Sequence, residues 1–165
     1  MNDPASAISD GGRFQPSEVG TQPVEIDSSA LYAYFNRNDQ CHADVIEFFE
    51  AIRHRQTPFR PLYVTDYALD ETLTRLSKRV SAEIAAAALE TVFESTLLTV
   101  EHIETGTFEL ACDWFGRYTD SGVGSFTDFV IAAHAEGSGA SHVLTYDNDF
   151  DVFDLTRLPH YRLEA

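Results

Sequence analysis

The sequence predicts one α/β domain built around a parallel sheet. Short β-rich apolar runs recur along the chain, and helical stripes of apolar residues separate them, which is the pattern of strand–helix–strand crossovers. At 165 residues the chain has about the length of one domain. The crossovers should be right-handed, as parallel connections are.

The elements follow in order. Residues 1–22, MNDPASAISDGGRFQPSEVGTQ, are small, polar and aperiodic, and read as a disordered tail, with the folded domain expected over 23–165. Val24 to Ile26 form a strand that Asp27 ends. Leu31, Tyr34 and Phe35 have helical spacing, and a second helix carries Val45, Ile46, Phe49 and Ile52. Pro58 and Pro61 break the chain before a strand at Leu62 to Val64. A helix then places Leu69, Leu73, Leu76 and Val80 on one stripe, and the alanine-rich stretch 81–95 is helical by propensity.

Leu97 to Val100 form the third strand. Phe108, Ala111, Cys112, Phe115 and Tyr118 mark the next helix, with Cys112 expected in the core. Gly122 and Gly124 form a loop before a helix over Thr127 to Glu136, which Gly137 and Gly139 stop. Ser141 to Thr145 is the last clear strand, and it leads into the turn Tyr146-Asp147-Asn148-Asp149.

Composition excludes several classes. The longest wholly apolar helical stretch, Ile84 to Leu89, is far short of the ~20 residues that span a bilayer. The N-terminus has no charged-then-apolar signal pattern, so the expected location is the cytoplasm. Two cysteines, Cys41 and Cys112, without paired spacing exclude a disulfide framework and a thiolate zinc site. The formal net charge is −16, with 27 acids, ten arginines and a single lysine, Lys78. Such self-repulsion disfavours a compact state unless salt screens it, so the surface reads as adapted to a salty cytoplasm, that of a halophile. One stretch is net positive: residues 53–79, with Arg53, Arg55, Arg60, Arg75, Lys78 and Arg79. It can serve as a phosphate-contacting surface or as a set of salt-bridging side chains.

In an open α/β sheet the ligand crevice lies beyond the carboxyl ends of the strands. Asp27 and Asp147 occupy that address. Glu71 lies within a helix in VTDYALDETLTRL, and Asp128 lies at a helix start in SFTDFVIAAH. Each acid also has a purely structural reading. Asp27 can cap the helix at Ser28, Asp128 can close a capping box with Ser125, Asp147 can make an Asx turn, and Glu71 can face solvent. His134 reads as a helix-surface or core residue.

Taken together, Asp27-Ser28-Ser29-Ala30-Leu31, a Glu in a Thr-rich mid-chain helix, Ser-Phe-Thr-Asp at a helix start and Leu-Thr-Tyr-Asp-Asn-Asp-Phe after a strand resemble the PIN-domain family. Within it they are most similar to the toxin ribonucleases of VapBC-type toxin–antitoxin pairs, over roughly residues 24–158. The resemblance implies a three-layer α/β/α sandwich with a central parallel sheet. It also implies a pocket of Asp27, Glu71, Asp128 and Asp147 that holds Mg²⁺ or Mn²⁺ and hydrolyses RNA phosphodiesters, with Ser28 and Asp149 in support. An RNA substrate, a cognate antitoxin and a homodimer belong to the same implication, and Arg75, Lys78 and Arg79 are the expected RNA contacts. The 22-residue tail and the very acidic surface are departures from such small toxins.

The chemistry is sound in itself. Clustered carboxylates repel one another, a hard divalent cation relieves that repulsion through oxygen ligands, and such a cation activates water for attack on phosphorus. The six histidines show no paired metal-ligand spacing. Phosphoryl transfer of the receiver or phosphatase type would need a positioned lysine, and Lys78 is poorly placed for it. Nucleotide-binding glycine motifs and a G-x-S-x-G elbow are missing. Two readings stay open beside the toxin: a PIN nuclease of RNA processing, and a catalytically silent binding module.

Overall fold

The computed structural model describes residues 20–159. Five strands form one wholly parallel sheet: β1 (Gln22–Ile26), β2 (Phe59–Thr65), β3 (Leu98–Glu101), β4 (His142–Leu144) and β5 (Thr156–Leu158). Their order is β3-β2-β1-β4-β5. Six α-helices connect them: α1 (Ser28–Phe35), α2 (His42–Arg53), α3 (Asp66–Arg79), α4 (Ala82–Glu94), α5 (Thr105–Tyr118) and α6 (Phe126–Ser138). Apart from residues 20–22, the expected tail lies outside the described residues, and Gln22 already belongs to β1.

Both faces of the sheet are covered, and this explains why its central strands show little polar alternation. On one face Val24, Ile26, Leu62, Val64 and Leu144 pack with Ala30 and Leu31 of α1, Phe49 and Ile52 of α2, and Val92 of α4. On the other face Val143 packs with Ile131 of α6, while Phe129, Val130 and Ala133 of α6 meet Ala111 of α5. The layers are helix, sheet, helix. Helix α3 joins the two sides: Leu69 belongs to the first cluster and Ala68 to the second.

The chain runs from β1 outward to β2 and β3, then returns to place β4 on the other side of β1. Neighbouring connections therefore diverge between β1 and β4, and at such a switch point the loops leave a crevice beyond the strand ends. Register sets what meets there. Ile26 pairs with Leu144, so Asp27 and Thr145 emerge side by side.

Four local expectations are corrected. Pro58 and Pro61 do not hold the second strand back to Leu62. β2 starts at Phe59 and runs through Pro61, whose missing N–H falls at an irregularity between the Gln22–Phe59 and Val24–Leu62 pairs. Gly137 does not stop α6, which continues to Ser138 and ends where Gly139 takes the left-handed conformation at φ 73°. Cys112 is exposed and Cys41 is the buried cysteine, because α6 covers only the Ala111 line of α5. The fifth strand, Thr156–Leu158, is an addition to the four expected. Its three residues alternate only once, and it forms by pairing along β4. Among the described residues no helix is long and apolar enough to cross a membrane.

Candidate metal centre

Asp27 leaves β1 with its N–H still bonded to Leu144 O at 3.0 Å, and then caps α1. Its Oδ1 accepts Ser28 N–H at 2.7 Å, with Ser28 Oγ at 3.5 Å. Its Oδ2 accepts Ser29 Oγ–H at 2.5 Å, Ser29 N–H at 3.3 Å and Thr145 Oγ1–H at 2.9 Å. The capping reading is thus correct in geometry, yet it does not exhaust the residue. The carboxylate is buried, and that burial pushes its pKa up against the pull of these donors.

Thr145 and Ser29 fasten the two strand ends together. Thr145 Oγ1 accepts Asp147 N–H at 3.0 Å, and Ser29 Oγ accepts Tyr146 N–H at 3.0 Å. Neither was singled out in the sequence. The signal available was position: each hydroxyl stands within two residues of an acid at a strand end.

Asp128 occupies the third position of α6 in a reciprocal capping box. Ser125 Oγ accepts Asp128 N–H at 3.4 Å, and Asp128 Oδ2 accepts Ser125 N–H at 2.6 Å. The preceding turn needs glycine, since Gly124 has φ +78° and its Cα faces Asp128 closely enough that a Cβ would lie 3.4 Å from Oδ2. Gly124 N–H in turn donates to Asp149 Oδ2 at 3.1 Å, tying the α6 entry to the loop after β4. In that loop Asp147 Oδ1 accepts Asp149 N–H at 2.9 Å, the Asx turn the sequence allowed.

The outcome is a convergence. One carboxylate oxygen each from Asp128, Asp147 and Asp149 lies within 4.8 Å of the others. Asp128 is the buried member and the other two are half-buried. Burial, then the charges of Asp27 and Asp147, push the pKa of Asp128 up to about 7. Asp27 lies outside the 4.8 Å group, but its field reaches it.

Glu71 is also outside that group. It is half-buried on α3, one turn beyond Tyr67 and Ala68. Those two lean toward α6: Ala68 packs with Ile131, Val143 and Phe150, and the Tyr67 ring lies 5.8 Å from Phe126. Asp70 is exposed. Arg75 stacks over the Tyr32 ring of α1 at 4.4 Å, while Lys78 and Arg79 stand exposed in the last turn of α3.

The donor set fits a hard cation. It is all carboxylate oxygen, which suits Mg²⁺ or Mn²⁺, with no soft ligand among the converging groups. A cation there would relieve the burial and like-charge cost that raises the pKa of Asp128.

The family model for the PIN domain matches residues 24–155. The chain belongs to the PIN-domain family. Solved structures similar to this PIN domain include VapC20 of Mycobacterium tuberculosis, a sarcin–ricin-loop-cleaving toxin, at 25% identity and TM-score 0.68, covering 78% of this chain and 93% of that one. VapBC2 of Rickettsia felis, bound to a DNA fragment of its promoter, aligns at 14% identity and TM-score 0.60, over 82% of this chain and 97% of that one. FitAcB of Neisseria gonorrhoeae aligns at 13% identity and TM-score 0.62, over 85% and 99%. No curated protein matches the sequence.

Proposed function

We propose that this PIN domain is a divalent-metal-dependent endoribonuclease, the toxin of a VapBC-type pair, acting through Asp27, Glu71, Asp128 and Asp147 with Ser28 and Asp149 in support. The observation that carries the reading is the convergence of Asp128, Asp147 and Asp149 beside Asp27 at the switch point of a parallel sheet. Its support from likeness is the match to VapC20, a toxin that cleaves RNA at the sarcin–ricin loop.

A bound Mg²⁺ or Mn²⁺ would acidify water and neutralise charge on the phosphate. Everything else falls to side chains of the chain. Asp128, whose Oδ2 is held by Ser125 N–H, would be one of the residues holding the cation. Asp147 and Asp149 complete an oxygen face, and Gly124 N–H keeps Asp149 turned toward it. Asp27, immobilised by Ser28, Ser29 and Thr145, would orient the attacking water and accept its proton. Glu71, on α3 and outside the converging group, is assigned a supporting carboxylate role on the likeness to the family.

RNA contacts are assigned to Arg75, Lys78 and Arg79. The last two stand seven and eight residues past Glu71, roughly 10 to 12 Å along the helix axis. Arg75 stacks over Tyr32, and a stacked guanidinium can still grip a phosphate through its N–H edge. The partners of this reading are a cognate antitoxin and a second copy of the chain, in the cytoplasm of a halophile.

The test is cleavage of structured RNA by the purified protein at high KCl. Activity should vanish in excess EDTA, return with Mn²⁺ or Mg²⁺, and fall at least about 100-fold in Asp128→Asn. Cleavage that persists in EDTA overturns the mechanism. A well-folded protein that cuts no RNA under any metal condition indicates a binding module.

A further inference from the structure

A second polar constellation lies in the core, away from the acids that converge at the strand ends. Glu25, in the middle of β1, is completely buried. Its Oε1 lies 2.7 Å from His134 Nδ1 and accepts Ser138 Oγ–H at 3.2 Å, while its Oε2 is buried without a hydrogen-bond partner. His134 Nε2 points to Glu101 Oε2 of β3 at 4.0 Å, and the edge of Tyr63 of β2 packs on the imidazole at 5.4 Å. A buried carboxylate with one oxygen unsatisfied costs stability, and apolar residues in such a place are often neutral or better. The proposed mechanism uses none of these groups.

We propose that Glu25, His134 and Ser138 set the axial register of α6 on β1 and so position Asp128 against Asp27 to receive the cation. The inference rests on the metal-centre reading above. Three features of the geometry carry it. Both ends of the contact pair the same two elements: Asp27 and Glu25 come from β1, two residues or about 6.6 Å apart, and Asp128 and His134 come from α6, six residues or about 9 Å apart. His134 and Ser138 are one helical turn apart and converge on one oxygen, so a slide of α6 in either direction breaks a bond. The bulky buried residues of α6, Phe129, Val130 and Ile131, pack its N-terminal half, and beyond them the buried apolar side chains are Ala132, Ala133 and Ala135, so polar contacts fix the second half.

Glu25, His134 and Ser138 thus tie α6 to β1 through buried contacts at the end of the helix away from Asp128. These three are positioning residues. A misplacement of about 1 Å in a reacting group can cost on the order of 100-fold in rate.

The test compares wild type with H134N, H134L and the double variant E25L/H134L, reading Mn²⁺ affinity by calorimetry, kcat and KM on RNA, and thermal midpoint. Asn keeps an amide donor at the Nδ1 position and should retain Mn²⁺ affinity within about threefold. The double variant removes the buried charge together with its partner, so it stays folded even where H134L does not. It should bind Mn²⁺ at least about 10-fold more weakly and lose kcat by a similar factor, with KM unchanged. A folded double variant with wild-type Mn²⁺ affinity and kcat makes the constellation mere packing and overturns the inference alone. A wild-type protein that binds no Mn²⁺ overturns the metal centre and this inference with it.

Discussion

Asp128 shows how one side chain can close a helix end and still face a cluster of carboxylates. Its Oδ2 belongs to the capping box, while burial and the charges of Asp27 and Asp147 raise its pKa from 3.8 to about 7. A raised pKa means that the folded state holds a proton the unfolded chain has already released. The stability from this group is full below about pH 4 and is lost as pH climbs through 7. The span is roughly a few kcal/mol at ~1.4 kcal/mol per unit. Metal-free protein should therefore lose thermal stability between about pH 4 and pH 7 and level off above that, and Asp128→Asn should flatten that slope. Saturating Mn²⁺ should also remove it, since the cation replaces the proton. Calorimetry across pH checks this, and an equal slope in wild type and Asp128→Asn would show that the group is not strained.

Helix α3 carries both structural and functional assignments. Of its expected stripe, Leu69 and Leu76 are buried and Leu73 half-buried, while Val80 stands exposed just past the helix end, and Thr65 caps the helix through a bond from Ala68 N–H at 3.1 Å. Arg75 ties α3 to α1 by stacking on Tyr32, a contact worth about 0.5 to 2 kcal/mol. Truncating Arg75 would therefore mix lost packing with lost RNA contact. Lys78 and Arg79 are exposed and allow a clean measurement. In an Asp128→Asn background, Lys78→Ala with Arg79→Ala should weaken RNA binding roughly 10-fold and reduce its salt dependence by about two phosphate contacts, with an unchanged thermal midpoint. Unchanged affinity would make these two cations ordinary last-turn residues that complement the helix dipole.

For the molecule as a whole, the charge of −16 dominates. The ion pairs offset little of it. Arg53–Glu50, Arg117–Asp113 and Arg157–Asp151 are local pairs with at least one well-exposed partner, a kind that contributes at most about 1 kcal/mol each. Raising KCl from ~0.2 to ~3 M shortens the Debye length to a few Å and removes most of the long-range repulsion, so the thermal midpoint should rise by roughly 10 °C or more. A flat response would assign the acidic surface another purpose. The same salt weakens phosphate contacts, so the RNA binding proposed here would lean on short-range contacts at the carboxylate cluster.

The sequence by itself determined the alternation of strand and helix, the parallel character of the sheet, and the placement of Asp27 and Asp147 at strand ends. These are local properties: apolar periodicity, capping residues and turn chemistry are written within a few residues of where they act. Tertiary structure decided what depends on register and strand order. Pairing of Ile26 with Leu144 brings Thr145 and Ser29 onto the Asp27 carboxylate. The turn at Gly124 swings Asp149 into the group with Asp128 and Asp147, while Glu71 and Asp27 stay outside its 4.8 Å radius. The bulge that admits Pro61, the exposure of Cys112 and the fifth strand are likewise settled by neighbours distant in sequence. His134, which read as a surface or core residue, lies over Glu25, 109 positions away. No local pattern could announce that contact, because the packing of α6 across the sheet creates it.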